Sequence, residues 1–398
     1  MSRSPSGTGV MVGAGLATHG DARLGAIEAA SAAMANLSGP PDLAVVFASG
    51  AHVATPEVTL EAIQEILGAS VLIGCGAGGV LGRGREHEAG TAVAVWAASL
   101  GESGSAVAFH AAVDSAGEGI GDELIIEDLP DLAGASGVIL LPDPYSFPTD
   151  IVLAELAHIA PGVPVLGGLS SARTLDGEAA LFLGEEVFER GAVGVRLEGV
   201  DLLPCVSQGA APLGREVTIT GAERHIIHEL AGQPALQTIE RIVSELTPRE
   251  RAMVDGGVLL GIVVGAGKPE YEQGDFLVRA ILGADPESGR IAVGATVEEG
   301  QVVRLHVRDA RSADRDLTQA LGVRVEAMAG RPPAGALVFS CNGRGESMFG
   351  VPDHDALALE RELRGAPTAG FFAAGEIGPV GGRSFLHGFT ATVAVFGG

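Results

Sequence analysis

The sequence is short of cysteine, of positive charge and of long apolar runs, and each shortage sets aside a class of protein. Its three cysteines (Cys75, Cys205 and Cys341) cannot build a disulfide framework, which fits free thiols in a reducing cytoplasm. Twenty-five basic residues stand against 50 acidic ones, for a formal charge of −25. A field of that sign repels phosphate backbones and anionic headgroups, so neither nucleic acid nor a membrane surface is expected as a partner. The longest apolar run, Val258 to Ala266, falls well short of the ~20 residues a bilayer helix needs. Arg3 precedes only a soft, glycine-rich patch from Gly9 to Ala17, a weak leader signal. No Gly-x-Ser-x-Gly elbow occurs, and no His, Cys or acidic cluster has convincing ligand spacing.

What the sequence does have is one supersecondary unit written three times. An apolar strand is followed by an amphipathic helix, a second apolar strand ending in small residues, a glycine-rich loop and an alternating strand. In the first copy these are Leu43 to Ser49, a helix capped by Thr55 with Pro56 at its first position, Ser70 to Ile73, Gly74 to Gly79, and Thr91 to Trp96. Before them come a strand from Val10 to Leu16 and a helix from Asp21 to Leu37, with Leu24, Ile27, Met34 and Leu37 on one stripe. The second copy runs through Gly137 to Leu141, a helix with Leu153, Leu156 and Ile159 on its face, Val163 to Leu166, Gly167 to Ser171, and Gly191 to Leu197. The third occupies Gly335 to Phe396, its helix from Asp353 to Leu363 carrying Leu357, Glu360 and Leu363. A region of different pattern separates copies two and three. It holds a strand at Val217 to Thr220, a helix opening at Gly232-Gln233-Pro234, and a capping box at Thr247-Pro248-Arg249-Glu250.

In the third copy one apolar run ends at Phe339-Ser340-Cys341-Asn342-Gly343-Arg344-Gly345. The next ends at Gly370-Phe371-Phe372-Ala373-Ala374-Gly375-Glu376-Ile377-Gly378-Pro379, and Leu386-His387-Gly388-Phe389-Thr390 follows. These segments resemble the C-terminal half of the FIST family. The Glu229-Leu230-Ala231-Gly232-Gln233-Pro234-Ala235-Leu236 passage resembles the junction between that family's two halves. The resemblance spans nearly the whole chain and implies an N-terminal half over 1–233 and a C-terminal half over 234–398. It also implies a sensory module for small molecules such as amino acids, with no particular reaction attached. The fold expected is α/β, of repeated β-α-β-β units in mixed sheets with helices on the outer faces.

The chemistry is expected where two parallel strands end side by side, because open α/β sheets take ligands at that edge. Cys341, Asn342 and Arg344 follow one strand of the third copy, and Glu376 follows the next. With Arg383 and His387 they make a candidate ligand set. An arginine fork suits a carboxylate and Glu376 suits an ammonium, which together fit an amino-acid-like zwitterion. Alternatives stay open at this point. Arg344 and Glu376 could pair with each other, and Cys341 could be a small buried hydrophobe or a thiolate activated by Arg344.

No catalytic set is evident, although a thiol enzyme using Cys341 is a third reading, and no metal is expected at His225, His228 and Glu229. Residues three apart on a strand face opposite sides. Gly74, Gly76 and Gly79 mimic a dinucleotide loop, but the glycine-broken Val80 to Gly90 cannot supply the helix that pyrophosphate needs. No cofactor is expected; the alternative is a haem gas sensor, with His52, His87, His354 or Cys341 as axial candidates. With no kinase, cyclase or DNA-binding segment attached, output is expected to pass to a separate signalling protein.

Overall fold

The computed structural model describes residues 9–115, 124–254, 257–265, 268, 271 and 273–398, so Arg3 and Ala266 lie outside the described residues. Contacts divide the chain into two compact units. One holds residues up to Val206, Thr318–Leu386 and Ala391–Gly398; the other holds Ser207–Leu317 and His387–Thr390.

The first unit contains three copies of one motif. Copy one comprises β1 (Met11–Ala17), α1 (Ala22–Met34), β2 (Leu43–Ser49), α2 (Ala51–Ala54), α3 (Pro56–Leu67), β3 (Val71–Gly76), β4 (Val80–Gly82), β5 (Arg85–His87) and β6 (Ala92–Ser99). Copy two comprises β7 (Ser105–Ser115), β8 (Leu124–Glu127), β9 (Gly137–Pro142), α4 (Thr149–Ile159), β10 (Val165–Gly168), β11 (Leu181–Leu183), β12 (Glu186–Phe188) and β13 (Ala192–Glu198). Within β14 (Leu202–Gln208), at Ser207, the chain enters the second unit. There it forms β15 (Ala210–Glu223), β16 (Ile226–Leu230), β17 (Gln233–Pro234), α5 (Ala235–Glu245), α6 (Pro248–Val254), β18 (Leu259–Val263), β19 (Phe276–Asp285), β20 (Arg290–Val293) and β21 (Val302–Arg308). Helix α7 (Ala310–Ala327) leads to copy three: β22 (Pro333–Cys341), α8 (Glu346–Phe349), α9 (His354–Glu362), β23 (Thr368–Ala373), β24 (Glu376–Val380), β25 (Arg383–His387) and β26 (Thr390–Gly397).

Each copy places its two βαβ strands parallel and adds its last long strand antiparallel beside the first: β6-β2-β3, β13-β9-β10 and β26-β22-β23. The short hairpin of each copy completes a different copy's sheet. β4 pairs with β23, β11 with β3, and β24 with β10. Six strands therefore follow the same order three times, with β8 added at one edge of the second sheet: β1-β6-β2-β3-β11-β12, β8-β7-β13-β9-β10-β24-β25 and β14-β26-β22-β23-β4-β5.

Where β3, β10 and β23 end, their backbones bond to one another. Leu169 N–H donates to Gly375 O (2.8 Å) and Ala374 N–H to Leu169 O (3.1 Å). Phe372 N–H donates to Gly79 O (3.0 Å), and Ser171 N–H and Ser170 Oγ donate to Gly76 O (3.2 and 2.8 Å). Small residues stand here because nothing larger fits between touching backbones. A Cβ on Gly168 would lie 2.8 Å from Ala373 Cβ and 3.2 Å from Gly375 O. No helix follows Gly74, Gly76 and Gly79, since β4 begins at Val80.

One face of all three sheets contributes to a shared core that includes Phe47, Trp96, Ile139, Leu141, Phe339, Phe371 and Phe396. Phe47 stacks on Phe371 at 4.9 Å and meets Phe339 edge-on at 6.2 Å. The opposite faces carry helices: α1 and α3 cover the first sheet and α4 the second, each over its own apolar cluster. This is the α/β architecture of repeated units with outer helices that the pattern implies.

Several local expectations are corrected. In α1, Leu24 is 54% exposed, and the buried face is Gly25, Ala26, Ala29, Ala30 and Ala33. The cause is close approach to β1, where a Cβ on Gly13 or Gly15 would lie 1.8 or 1.9 Å from Ala33 O or Ala29 O. Ile159 and Leu357 likewise face solvent, at 56% and 50% exposed. Thr55 does not cap α3; its Oγ1 donates to the O of Ala51, the first residue of α2 (3.1 Å). The Thr247–Glu250 capping box is present, with Thr247 N–H on Glu250 Oε2 (2.9 Å) and Glu250 N–H on Thr247 Oγ1 (3.3 Å).

The second unit is antiparallel. Its order β15-β21-β18-β19-β20-β16-β17 closes on itself because β15 also pairs with β16. Leu213, Ile219, Ile239, Ile242, Leu260, Val303 and Leu305 fill its core. His228 sits in β16, a strand, as the alternating pattern around it implies.

The α1–β1 contact generates a test. Gly13→Ala should destabilise the chain by about 1–3 kcal/mol, because the new methyl meets backbone that cannot swing away. Leu24→Ala should stay within about 0.5 kcal/mol. Chemical denaturation of both variants checks this, and the reverse ranking would show that α1 packs by its leucines.

Candidate functional site

The site is built where the third copy's parallel strands end. Register places Cys341 opposite Ala373, and Asn342 N–H donates to Ala373 O (3.0 Å). A tight turn follows, with Arg344 N–H on Cys341 O (2.8 Å), and it delivers Arg344 inward. Glu376 opens β24 opposite Gly168 and is fully buried.

Arg344 is 1% exposed, and its main partner is Asp355, from the first turn of α9. Nε donates to Asp355 Oδ2 (2.7 Å) and Nη2 to Oδ1 (3.0 Å), a bidentate fork on a carboxylate that is itself 2% exposed. Ser340 Oγ donates to Asp355 Oδ2 (3.2 Å), and His354 Nδ1 lies 3.1 Å from Oδ1. Phe349 stacks on His354 at 3.6 Å and lies 5.2 Å beneath the guanidinium. Arg344 Nη1 is buried without a hydrogen-bond partner.

Burial alone would pull the Arg344 pKa down, but Asp355, then Cys341 and Glu376, raise it above its ordinary value. Burial would push the Asp355 carboxyl up, yet Arg344 and His354 hold it well below the usual carboxylate range. Of the anticipated residues, Cys341 and Glu376 are thus each brought within electrostatic reach of Arg344. The Arg344 fork itself is taken by Asp355 rather than by Glu376.

The other anticipated residues sit elsewhere. Asn342 is exposed on the turn, and its backbone is what the strand edge uses. Arg383 is exposed at the start of β25, in a groove with Leu153, Leu156 and Ser384. His387 is buried and belongs to the second unit. Among the haem candidates, His52 is fully buried with Nδ1 on Thr59 Oγ1 (3.1 Å), and a Cβ on Gly25 would lie 2.9 Å from its ring. His354 is occupied by Phe349 and Asp355.

Sequence reasoning missed the acids around this turn. Asp355 had a readable signal, since it shares the apolar face of α9 with Ala356, Ala358 and Leu359. A carboxylate on such a face asks for a buried cation. Glu86 and Glu88 had none, because they arrive on the exchanged hairpin. Glu86 Oε1 accepts from Ala356 N–H (2.9 Å), Asp353 Oδ1 accepts from Glu86 N–H (2.7 Å), and Glu88 Oε1 accepts from Glu346 N–H (2.8 Å). Both helices that frame Arg344 therefore start on acids from the first copy. Burial pushes the Glu86 carboxyl up to about 7, with Asp355 and Glu88 adding to the shift.

The corresponding loops of the other copies carry different chemistry. After β9, Asp143 accepts from Ser146 and pairs with Arg173 (3.0 Å), whose guanidinium lies 4.5 Å over Tyr145. After β2, His52 and Thr59 make a neutral pair.

Three matching sheets with exchanged hairpins, and one strand edge at which both members of an arginine–carboxylate pair are buried, define an internally repeated α/β protein. The chain belongs to the FIST family: residues 42–233 match the FIST N domain and 235–379 the FIST C domain. FIST domains are associated with sensory and signalling roles. The chain is similar to an uncharacterized protein of Mycobacterium tuberculosis strain H37Rv, 43% identical over 386 residues, which is 97% of this chain and 99% of that one. It is also similar to an uncharacterized protein of Mycobacterium bovis, 43% identical over 389 residues, covering 97% and 98% of the two chains. Among the described residues no helix is long and apolar enough to cross a membrane.

Glu86 makes a prediction with a definite sign. Its folded pKa of about 7 lies above the ordinary 4.5, so its protonated form stabilises the fold. That contribution is present below about pH 4.5 and is lost as the pH rises through about 7. Glu86→Gln keeps an acceptor for Ala356 N–H and removes the charge. The stability of Glu86→Gln relative to wild type should therefore climb between these pH values and then level off. Taking the difference cancels the opposite effect of His52, whose pKa burial lowers to about 4. A difference that stays flat from pH 4 to 8 would contradict the assignment.

Proposed function

We propose that this protein is a small-ligand sensor whose ligand is an amino acid taken up at the ends of β22 and β23. The ligand's carboxylate meets Arg344 and its ammonium meets Glu376. Output passes to a separate signalling protein, in the cytoplasm. The observation that carries this reading is Arg344 Nη1, a cationic N–H buried without a partner after Asp355 has taken Nε and Nη2. A buried polar group left in that state costs about 1–3 kcal/mol, more when charged. A carboxylate oxygen brought to it removes that cost and gives the ligand a differential affinity for this arrangement of the loop. Asp355 holds the fork in place, so binding meets a preorganised donor.

The test is thermal shift across an amino-acid panel with wild type, Arg344→Lys and Glu376→Gln. Wild type should be stabilised by at least one amino acid, in proportion to the logarithm of its concentration once saturated. Each substitution should cost roughly 2–5 kcal/mol of binding and so erase the shift. Stabilisation that survives both substitutions would place the ligand elsewhere.

The haem alternative has a separate readout. Protein purified with haem supplied should show no Soret band. A band abolished by substituting His52, His87 or His354 would move the reading to a gas sensor.

A further inference from the structure

The threefold repeat also generates a second kind of location, at the opposite ends of the same strands. There the end of a crossover helix, the start of the second βαβ strand and the turn of an exchanged hairpin come together. In the second sheet this location is a groove of about 220 Å³ between α4, Val165 and the turn at Gly382 and Arg383. In the third it is a larger groove of about 390 Å³, between the last turn of α9, Thr368 and the turn at Arg83 and Gly84. An arginine is carried on the hairpin turn in both. In the first sheet the corresponding turn is Gly184-Glu185, and Gly184 N–H lies down on Leu72 O (2.8 Å).

The larger groove differs from its counterpart in having charge on both sides. Its floor is small, with Ala14 from β1 and Ala32 from α1. Arg83 stands on one wall and Glu360 on another, and neither has an ion-pair partner among the described residues. A Cβ on Gly84 would lie 2.2 Å from Glu360 Oε2, so that carboxylate sits directly against the turn that carries Arg83. Gly84 has φ +68°, so a side chain there would be strained. Asn36 adds an amide oxygen, and the end of α1 adds the partial negative charge of a helix C-terminus. The volume lies within the range of small-molecule sites.

We propose that this groove is a second binding site, for a small zwitterion of the free amino-acid class. The carboxylate lies on Arg83, and the ammonium lies on Glu360 and the end of α1. A cation alone would meet Arg83 and an anion alone would meet Glu360, so both charges are needed on one ligand. Thr368, in the groove, opens β23 and Ala373, at the Arg344 edge, closes it. The two sites are thus separated by the length of that strand, and the proposal stands without the reading of the Arg344 edge.

The experiment is calorimetric titration of the full chain with each of the twenty amino acids in turn, and with acetate and ethylammonium as single-charge probes. The expected result is that at least one amino acid binds and both single-charge probes bind at least tenfold more weakly. Arg83→Gln and Glu360→Gln, both at exposed positions, should each weaken the amino acid at least tenfold while leaving the melting temperature of the free protein in place. Absence of binding by any amino acid overturns the proposal. So does binding that both substitutions leave at wild-type strength. If that retained binding is lost in Arg344→Lys, the groove is wrong and the strand-edge reading stands. If binding is instead lost in Arg83→Gln and Glu360→Gln and kept in Arg344→Lys, the groove stands alone.

Discussion

No copy of the repeated motif can finish its own sheet. Strands of three residues such as β4 and β11 have too few bonds to persist alone, and here they are held only because another copy's second strand receives them. The donated hairpins make the three sheets mutually dependent, and the bonded ends of β3, β10 and β23 tighten that dependence at one point. Glycine and alanine at those ends follow from it, since backbone meets backbone with no room for side chains. The same constraint makes the topology strongly non-local, which favours slow folding and late closure of the first unit.

The exchange also decides what surrounds Arg344. Asp353 and Ala356 receive their contacts from Glu86, about 270 positions earlier in the chain, which no local segment could arrange. Once there, the acids frame a fully buried guanidinium. Removing one member of a buried pair such as Arg344–Asp355 leaves an uncompensated charge and costs about 3–5 kcal/mol, whereas the intact pair contributes little net stability. Such a pair is expensive as scaffolding, which is the reason to read it as a held donor rather than a strut. The first copy offers a neutral pair in that position and the second an inverted one, with the acid on the loop and the arginine arriving from beyond β10.

Much of the fold was legible because it is periodic. Leu43 to Ser49, Gly137 to Leu141 and Gly335 to Cys341 read as buried strands, each followed by an amphipathic helix and a second strand, and parallel pairing then follows from chain handedness. The helix faces were less legible. In α1 Leu24 points outward, Ile27 and Met34 are only partly buried, and the alanines point inward, because the distance to β1 is set by Gly13 and Gly15 rather than by the helix itself. Helix α7 was missed although Ala313, Leu317 and Leu321 carry a helical stripe that is buried. Of the site, the strand-edge placement of Cys341, Arg344 and Glu376 followed from topology. The partner Asp355 could have been inferred from its position on an apolar face. The hairpin exchange could not, because three-residue strands do not encode whom they pair with.

The central claim is that Arg344 is a donor prepared for a ligand. Nitrogen-15 spectra of the arginine side chains, recorded on the full chain with and without an equimolar mixture of the twenty amino acids, test it most directly. The Arg344 signals are assigned by their loss in Arg344→Lys. The account predicts that the Nη1 resonance moves on saturation while Nε, held by Asp355, stays where it was. Arg344 resonances that remain unmoved while the mixture measurably stabilises the protein would contradict it.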